Sequence, residues 1–481
     1  MTRIYMKKSE INVFIFRRDY RLDDNTSLYN LIDKSLISGI KIIPIFIFNP
    51  KQIDSDKNQY FNKNCIEFMV QCLKSLNLTL KDRLYYFYGT DIEILNKLLT
   101  KFQINTLAFN CDYTPYARHR DSLLQSWCQE KDIELLTNYD YNLIDFSQMM
   151  NGSGKAYEIF TPFYNKLLLN VKYIRDVSNK KIDINIFYDD EPNKLLRNLI
   201  VKDIDKFYNN NSNKYLNVIG SRENALKILT KIKKNEFANY EKYRDYPYMD
   251  KTTKLSAYIK FGCVSIREVF WTIRRQYGIK NGLLREVLWK EFYSHVTYNY
   301  PKILSGQIQG RNHTFKEKYN NLRWSYNEKL WNSFIQGKTG VPFVDAGIRQ
   351  MLTTGWMHNR LRMVVGQFIA KDLMFDWKLF ENWMASNLID YDPSSNSGGV
   401  HWCYSTGSDS QPYFRIFNPY LQSIKYDPDA KYIKKWVSEL KDVPVKAIHE
   451  WNDQYKNYPG VYYIPICDHK VQSEKAINMF K

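Results

Sequence analysis

A chain of 481 residues with 44% hydrophobic and 25% charged side chains is long enough for two or three domains with sizeable cores. Its formal net charge of +18 favours a polyanionic partner and argues against a small cationic ligand. Seven cysteines without a CxxC pair speak against a disulfide scaffold or a zinc site, and the six-residue apolar run 11–16 is too short for a signal peptide or a membrane span. The protein is therefore expected inside the cell, cytoplasmic or nuclear, and not secreted.

Along residues 11–140, short β-rich runs at 11–16, 41–48, 84–89, 106–110 and 133–137 alternate with helical stretches such as 60–76 and 91–101. Apolar strands separated by helices predict a doubly wound parallel sheet, whose ligands sit beyond the carboxyl ends of the strands. Arg17-Arg18-Asp19-Tyr20-Arg21 follows the first strand where a dinucleotide-binding dehydrogenase would carry GxGxxG. Gly152-Ser153-Gly154-Lys155 is not a phosphate loop, because positions 149 and 156 are Met149 and Ala156. Residues 141–215 lose periodicity and gather Asn, Asp and Lys, as in Asn209 to Asn213, which marks a long connection. From about 220 the pattern is helical, with candidate helices at 223–236, 265–277, 283–300, 342–353, 358–373 and 379–386. The expected organisation is α/β followed by all-α: a sheet domain over 10–140, a linker over 141–215 and a helical domain over 216–475.

Three stretches carry candidate chemistry. Glu286, Trp289 and Tyr293 fall at i, i+3 and i+7, so one helix face sets a carboxyl group beside two aromatics and predicts a raised pKa. The same pattern also suits an amphipathic helix burying Trp and Tyr. Thr252-Thr253-Lys254-Leu255-Ser256, with Tyr240 before it, offers hydroxyls and N–H groups that cradle phosphate or, on the other reading, cap a helix. In 356–363, Trp356, Asn359 and Met363 are expected on one helix face; Asn359 can read a heterocyclic edge and Arg360 can clamp a phosphate. Arg362 and Asp390 are expected to pair in the interior, each offsetting the other's desolvation. Asp390-x-Asp392 has no third ligand at metal spacing, so no metal is expected. No nucleophile–base pair or HExxH motif is present.

Together these residues resemble the DNA photolyase/cryptochrome family over nearly the whole chain. The resemblance rests on Phe16-Arg17-Arg18-Asp19-Tyr20-Arg21-Leu22, on Phe160-Thr161-Pro162-Phe163, and on Gly337-Lys338-Thr339-Gly340-Val341-Pro342 through Trp356-Met357-His358-Asn359-Arg360. It implies an antenna domain and a helical domain holding FAD. The implied FAD contacts are Tyr240, Thr252, Thr253, Lys254, Leu255, Ser256, Trp356, Asn359, Arg362, Asp390, Asp392 and Asn396. Glu286, Trp289 and Asn359 match the class I enzymes for cyclobutane pyrimidine dimers. Enzymes for (6-4) photoproducts carry Gln and two histidines, where this chain has Glu286, Asn359 and Met363. The resemblance thus implies light-driven dimer repair in ultraviolet-damaged DNA by a monomer, with a cryptochrome photoreceptor or a (6-4) photolyase as alternatives. Trp289 and Trp402 would stack on the flipped lesion, with Met363 in the pocket, and Arg244, Arg360, Arg415 and Gln422 would contact DNA. Of the family's three-tryptophan electron relay, Trp324 and Trp377 match, while Val400 stands at the proximal position. Tyr116-Ala117 replaces the Asn-Glu of folate-binding members, so the identity of any second, antenna chromophore stays open.

Overall fold

The computed structural model describes residues 8–191, 194–208, 212–304 and 314–481; Asn209, Asn210 and Asn211 of the polar cluster lie outside them. Five strands, β1 (Ser9–Phe16), β2 (Lys41–Phe48), β3 (Tyr85–Tyr88), β4 (Phe102–Cys111) and β5 (Glu134–Tyr139), form one parallel sheet in the order β3-β2-β1-β4-β5. β1 pairs with both β2 and β4, so the strand order reverses at its carboxyl end. Side chains alternate strictly along β1. Ile11, Val13 and Ile15 enter one core with Leu95, Leu124 and Trp127 from the covering helices. Phe14 and Phe16 enter another. Burial of both faces explains why the strands read as near-continuous apolar runs.

That second core does not stop at the sheet domain. It joins Phe14 and Phe16 to Phe68 of helix Lys63–Thr79, Phe163 of helix Phe160–Leu169, and Val269 and Phe292 of helices Ile266–Tyr277 and Gly282–Asn299. A third core, around Phe343, Leu361, Phe380 and Trp451, belongs to the later helices. The connection 141–215 is thus partly ordered: helix Phe160–Leu169 buries Phe160, Phe163 and Leu167. Among the described residues no helix is long and apolar enough to cross a membrane.

Two helices differ from the expectation. The stretch 358–373 divides into helix Asn359–Gln367 and a π-helical turn, Phe368–Asp372, which buries Lys371 and Asp372. Helix Pro393–Cys403 has the sequence PSSNSGGVHWC, poor in helix formers. It forms because Asp392 caps it, accepting from Ser395 N–H at 3.0 Å, and Pro393 occupies its first turn. Gly398 is required by contact: a Cβ there would lie 2.2 Å from Cδ1 of Tyr293. The glycine lets this helix close onto helix Gly282–Asn299.

Candidate functional site

The site begins at the carboxyl end of β1, where the loop from Arg17 to Asn25 meets the helical half. Arg18 donates to Asp112 at 3.1 Å, to Asp392 at 2.6 Å and to the Lys260 carbonyl at 3.1 Å, tying the end of β4 to the cap of helix Pro393–Cys403. Burial alone would lift the Asp392 carboxyl, but Arg18 and Lys290 hold it below its ordinary range. Arg21 and Arg267 converge on Asp24 and Asp140, all four buried; Arg267 donates at 2.8 Å to Asp24 and 2.6 Å to Asp140. Arg21 pairs with Asp140. Gly262 is needed at this seam: its φ is +63°, and a Cβ would lie 2.1 Å from the Arg18 carbonyl. The motif that carried much of the resemblance is therefore the joint between the two halves.

Several of the expected cofactor residues meet behind that joint. Arg362 donates to both oxygens of Asp390 at 3.0 and 2.8 Å, the pairing expected from sequence. Arg362 Nε also donates to the Met357 carbonyl, and Ile389 N–H to the Gly355 carbonyl at 2.8 Å, which fixes 355–362 against 389–390. Lys254 lies 5.8 Å from the centre of the buried Trp356 ring and so joins the 252–256 loop to the same wall. Tyr240 is buried, which pushes its phenol up. The helix cap allowed by the sequence is not made. Helix Ser256–Lys260 begins at Leu255 with no side-chain cap, and Thr253 Oγ1 only accepts Leu255 N–H at 3.4 Å. Thr252 Oγ1 and Ser394 Oγ are buried without a hydrogen-bond partner. The orphaned Thr252 hydroxyl in the loop before an uncapped helix start suits a diphosphate, and with the orphaned Ser394 hydroxyl these residues fit FAD. Ser394 escaped the sequence reading because a lone serine carries no signal. Asn396, expected toward the flavin, donates to Glu381 Oε1 at 3.1 Å. Both carboxylates of Asp390-x-Asp392 are taken by guanidinium groups, of Arg362 and Arg18.

Trp356 does not share a helix face with Asn359 and Met363: helix Asn359–Gln367 starts after His358, its cap, and Trp356 lies in the preceding turn. Asn359 is exposed. Glu286 is not flanked by aromatics alone; its carboxylate accepts from Arg244 at 2.5 Å. Helix geometry set the three residues on one face, but Arg244 arrives from a distant segment. Trp289 is covered on one side by Phe160, ring centres 3.8 Å apart and nearly parallel. Arg360 pairs with Asp245 at 2.8 Å and lies 4.1 Å over the Tyr426 ring, with its side chain 12% exposed. Arg415 is exposed and donates to Gln411; Gln422 is half-buried, and Trp402 packs edge-on to Phe417. His358 is buried, which pushes its imidazole down to about 4 and keeps it neutral.

Trp377 and Trp324 are linked to the segment around buried Val400 through other rings: Trp377 lies 4.3 Å from His401, and Trp324 lies 5.3 Å from the buried Tyr404. At the strand-order reversal, Arg17 lies 3.8 Å over Phe109 and pairs with Asp121 at 2.6 Å. Asp121 also pairs with Arg120, whose guanidinium lies 5.9 Å from Tyr116.

Residues 12–180 match the family model for DNA photolyase, and residues 283–481 that for the FAD binding domain of DNA photolyase. The chain is 35% identical, over 97% of each chain, to the deoxyribodipyrimidine photo-lyase of Alkalihalophilus pseudofirmus. Its structure is similar to the archaeal photolyase of Sulfolobus tokodaii with two FAD molecules, at a TM-score of 0.81 and 31% identity over 98% of this chain and 99% of that one. It also matches a bacterial class III photolyase from Agrobacterium tumefaciens, with a TM-score of 0.81 and 26% identity over 100% and 99% of the two chains.

Proposed function

The chain belongs to the DNA photolyase family, and from that premise we propose how its own residues hold a lesion and a cofactor. It is a light-dependent DNA-repair lyase that splits cyclobutane pyrimidine dimers and carries FAD. The 252–256 loop and residues 388–396 would hold the FAD, which in its reduced form would supply, on illumination, the electron for opening the cyclobutane ring.

The protein's part is recognition and positioning. A damaged dinucleotide stacks poorly, so flipping it out of the duplex costs less than flipping normal bases. Trp289 receives it on the face that Phe160 leaves free, and Trp402 closes the other side; such stacking contributes about 1–3 kcal/mol per base. Asn359 offers a donor and an acceptor to the base edges, Glu286 adds an acceptor, and Met363 fills the apolar side. Tyr240, Thr252, Thr253, Lys254, Leu255, Ser256, Trp356, Arg362, Asp390, Asp392 and Asn396 hold the cofactor. Arg244, Arg360, Arg415 and Gln422 meet the DNA backbone, as the net charge of +18 favours. The protein acts inside the cell as a monomer, and its domains follow the 10–140, 141–215 and 216–475 division. Trp324 and Trp377 form an electron relay interrupted at Val400. Any second chromophore, of unassigned identity, would sit beside Arg17 and Arg120, where the buried Nη2 of Arg120 lacks a hydrogen-bond partner and that of Arg17 faces Asp91 at 3.5 Å.

The observation that carries the dimer reading is Glu286 at the mouth, one helical turn before Trp289, together with an exposed Asn359 and a buried His358. The test is illumination of the purified, FAD-loaded protein with a thymine-dimer oligonucleotide. Restored thymines are the expected result. Repair of (6-4) lesions alone overturns the lesion assignment, and a flavin spectrum without repair of either lesion favours the cryptochrome alternative.

A further inference from the structure

The mouth of the site carries an alternating row of charges: Glu286, Arg244, Asp245 and Arg360. Arg244 meets Glu286 at 2.5 Å. Asp245 faces both arginines, its Oδ1 lying 2.8 Å from Arg360 and 3.8 Å from Arg244. Among the described residues the Asp245 carboxylate has no other ion-pair or hydrogen-bond partner. It caps no helix, and its side chain is 32% exposed. The Arg244–Asp245 contact, open to water on both sides, contributes little to stability, about 0–1 kcal/mol, so the fold gives little reason for a carboxylate facing Arg244. Arg360 is different: it is seated on Tyr426, its side chain is only 12% exposed, and its buried Nε has no partner.

We propose that Asp245 is a specificity-determining residue, an internal stand-in for a DNA phosphate that keeps Arg244 and Arg360 occupied until a lesion-bearing strand displaces it. The inference rests on the reading of these arginines as DNA contacts. A guanidinium donates to a carboxylate or to a phosphate in the same forked geometry, so the two compete for it. Binding to undamaged duplex is almost wholly electrostatic, and a strand held only by its charge must give up part of that attraction to dislodge Asp245. A flipped dinucleotide brings pocket contacts as well as phosphate, and these offset the exchange.

The test compares the FAD-loaded wild type with Asp245→Asn and Asp245→Glu on an undamaged duplex and on the same duplex carrying one thymine dimer, across a salt series. Asp245→Asn is expected to bind undamaged duplex several-fold tighter, with a salt slope steeper by ~0.9 for each phosphate gained. Its affinity for the dimer duplex should change less, and Asp245→Glu should restore the discrimination. Unchanged or weaker binding of Asp245→Asn to undamaged duplex, with an unchanged slope, overturns the proposal. Arg360→Ala separates the two levels. If it leaves DNA affinity unaltered, the DNA-facing reading fails and this inference with it. If it weakens binding while Asp245→Asn gains nothing, only the role of Asp245 fails.

Discussion

Two sets of arginines and carboxylates in this protein use the same chemistry to opposite ends. At the seam, Arg21, Arg267, Asp24 and Asp140 are buried and held by several bonds each. At the mouth, Glu286, Arg244 and Asp245 keep 26–32% of their side chains in water. In the dry seam, losing one partner strands the others, so the pairs act as fixed joints. At the wet mouth water replaces a lost partner, so the pairs can exchange. Burial, not charge or residue type, separates the two sets.

The contrast breaks if Arg267→Met is tolerated. That substitution leaves Asp24 and Asp140 short of a buried cation and should lower stability by about 3–5 kcal/mol in denaturant unfolding. A buried cation with no carboxylate beside it sharpens the rule from the other side. Lys371 lies 3.4 Å over the Phe480 ring, its Nζ has no hydrogen-bond partner, and burial pushes it down to about 7. The unfolded chain holds that proton up to ~10.4, so between these values the unfolded state binds more protons and stability rises with pH. Lys371→Met should therefore be more stable than wild type by a few kcal/mol at pH 7 and below, the gap closing toward pH ~10 in thermal melts. Arg18→Ala removes the tie between Asp112 and Asp392, and an expected cost of about 1–3 kcal/mol should appear together with weaker FAD retention on gel filtration. The smallest stability effect belongs to the mouth. Arg244→Ala, at the more open of the two arginines, should shift unfolding by less than about 1 kcal/mol while weakening DNA binding and flattening its salt dependence. A stability loss as large as that of Arg267→Met would erase the distinction between the two networks.

Much of this was legible in the chain itself. Periodicity marked the strands, with 41–48 expected and Lys41–Phe48 observed, because a strand buried on both faces must be apolar throughout. Helix Pro393–Cys403 was not legible: its Gly398 makes sense only against the Tyr293 ring, which arrives from about a hundred positions away. The Arg362–Asp390 pair could be foreseen as a pairing, but not its setting: Asp390 is buried while Arg362 keeps 27% of its side chain in water, so the pair is not the fully interior one expected. Glu286 could be placed beside Trp289 by helical spacing alone, yet its environment could not, because Arg244 and not an apolar flank meets it. Asp245 showed nothing in sequence, being one acidic residue in a loop. Composition, periodicity and motif spacing thus determined the two halves of the protein and favoured a polyanionic partner, because those are local or summed properties. Only the tertiary structure decided which charges are locked and which are free to exchange. That depends on how much water reaches each pair, and water access is set by the packing of segments far apart in the chain.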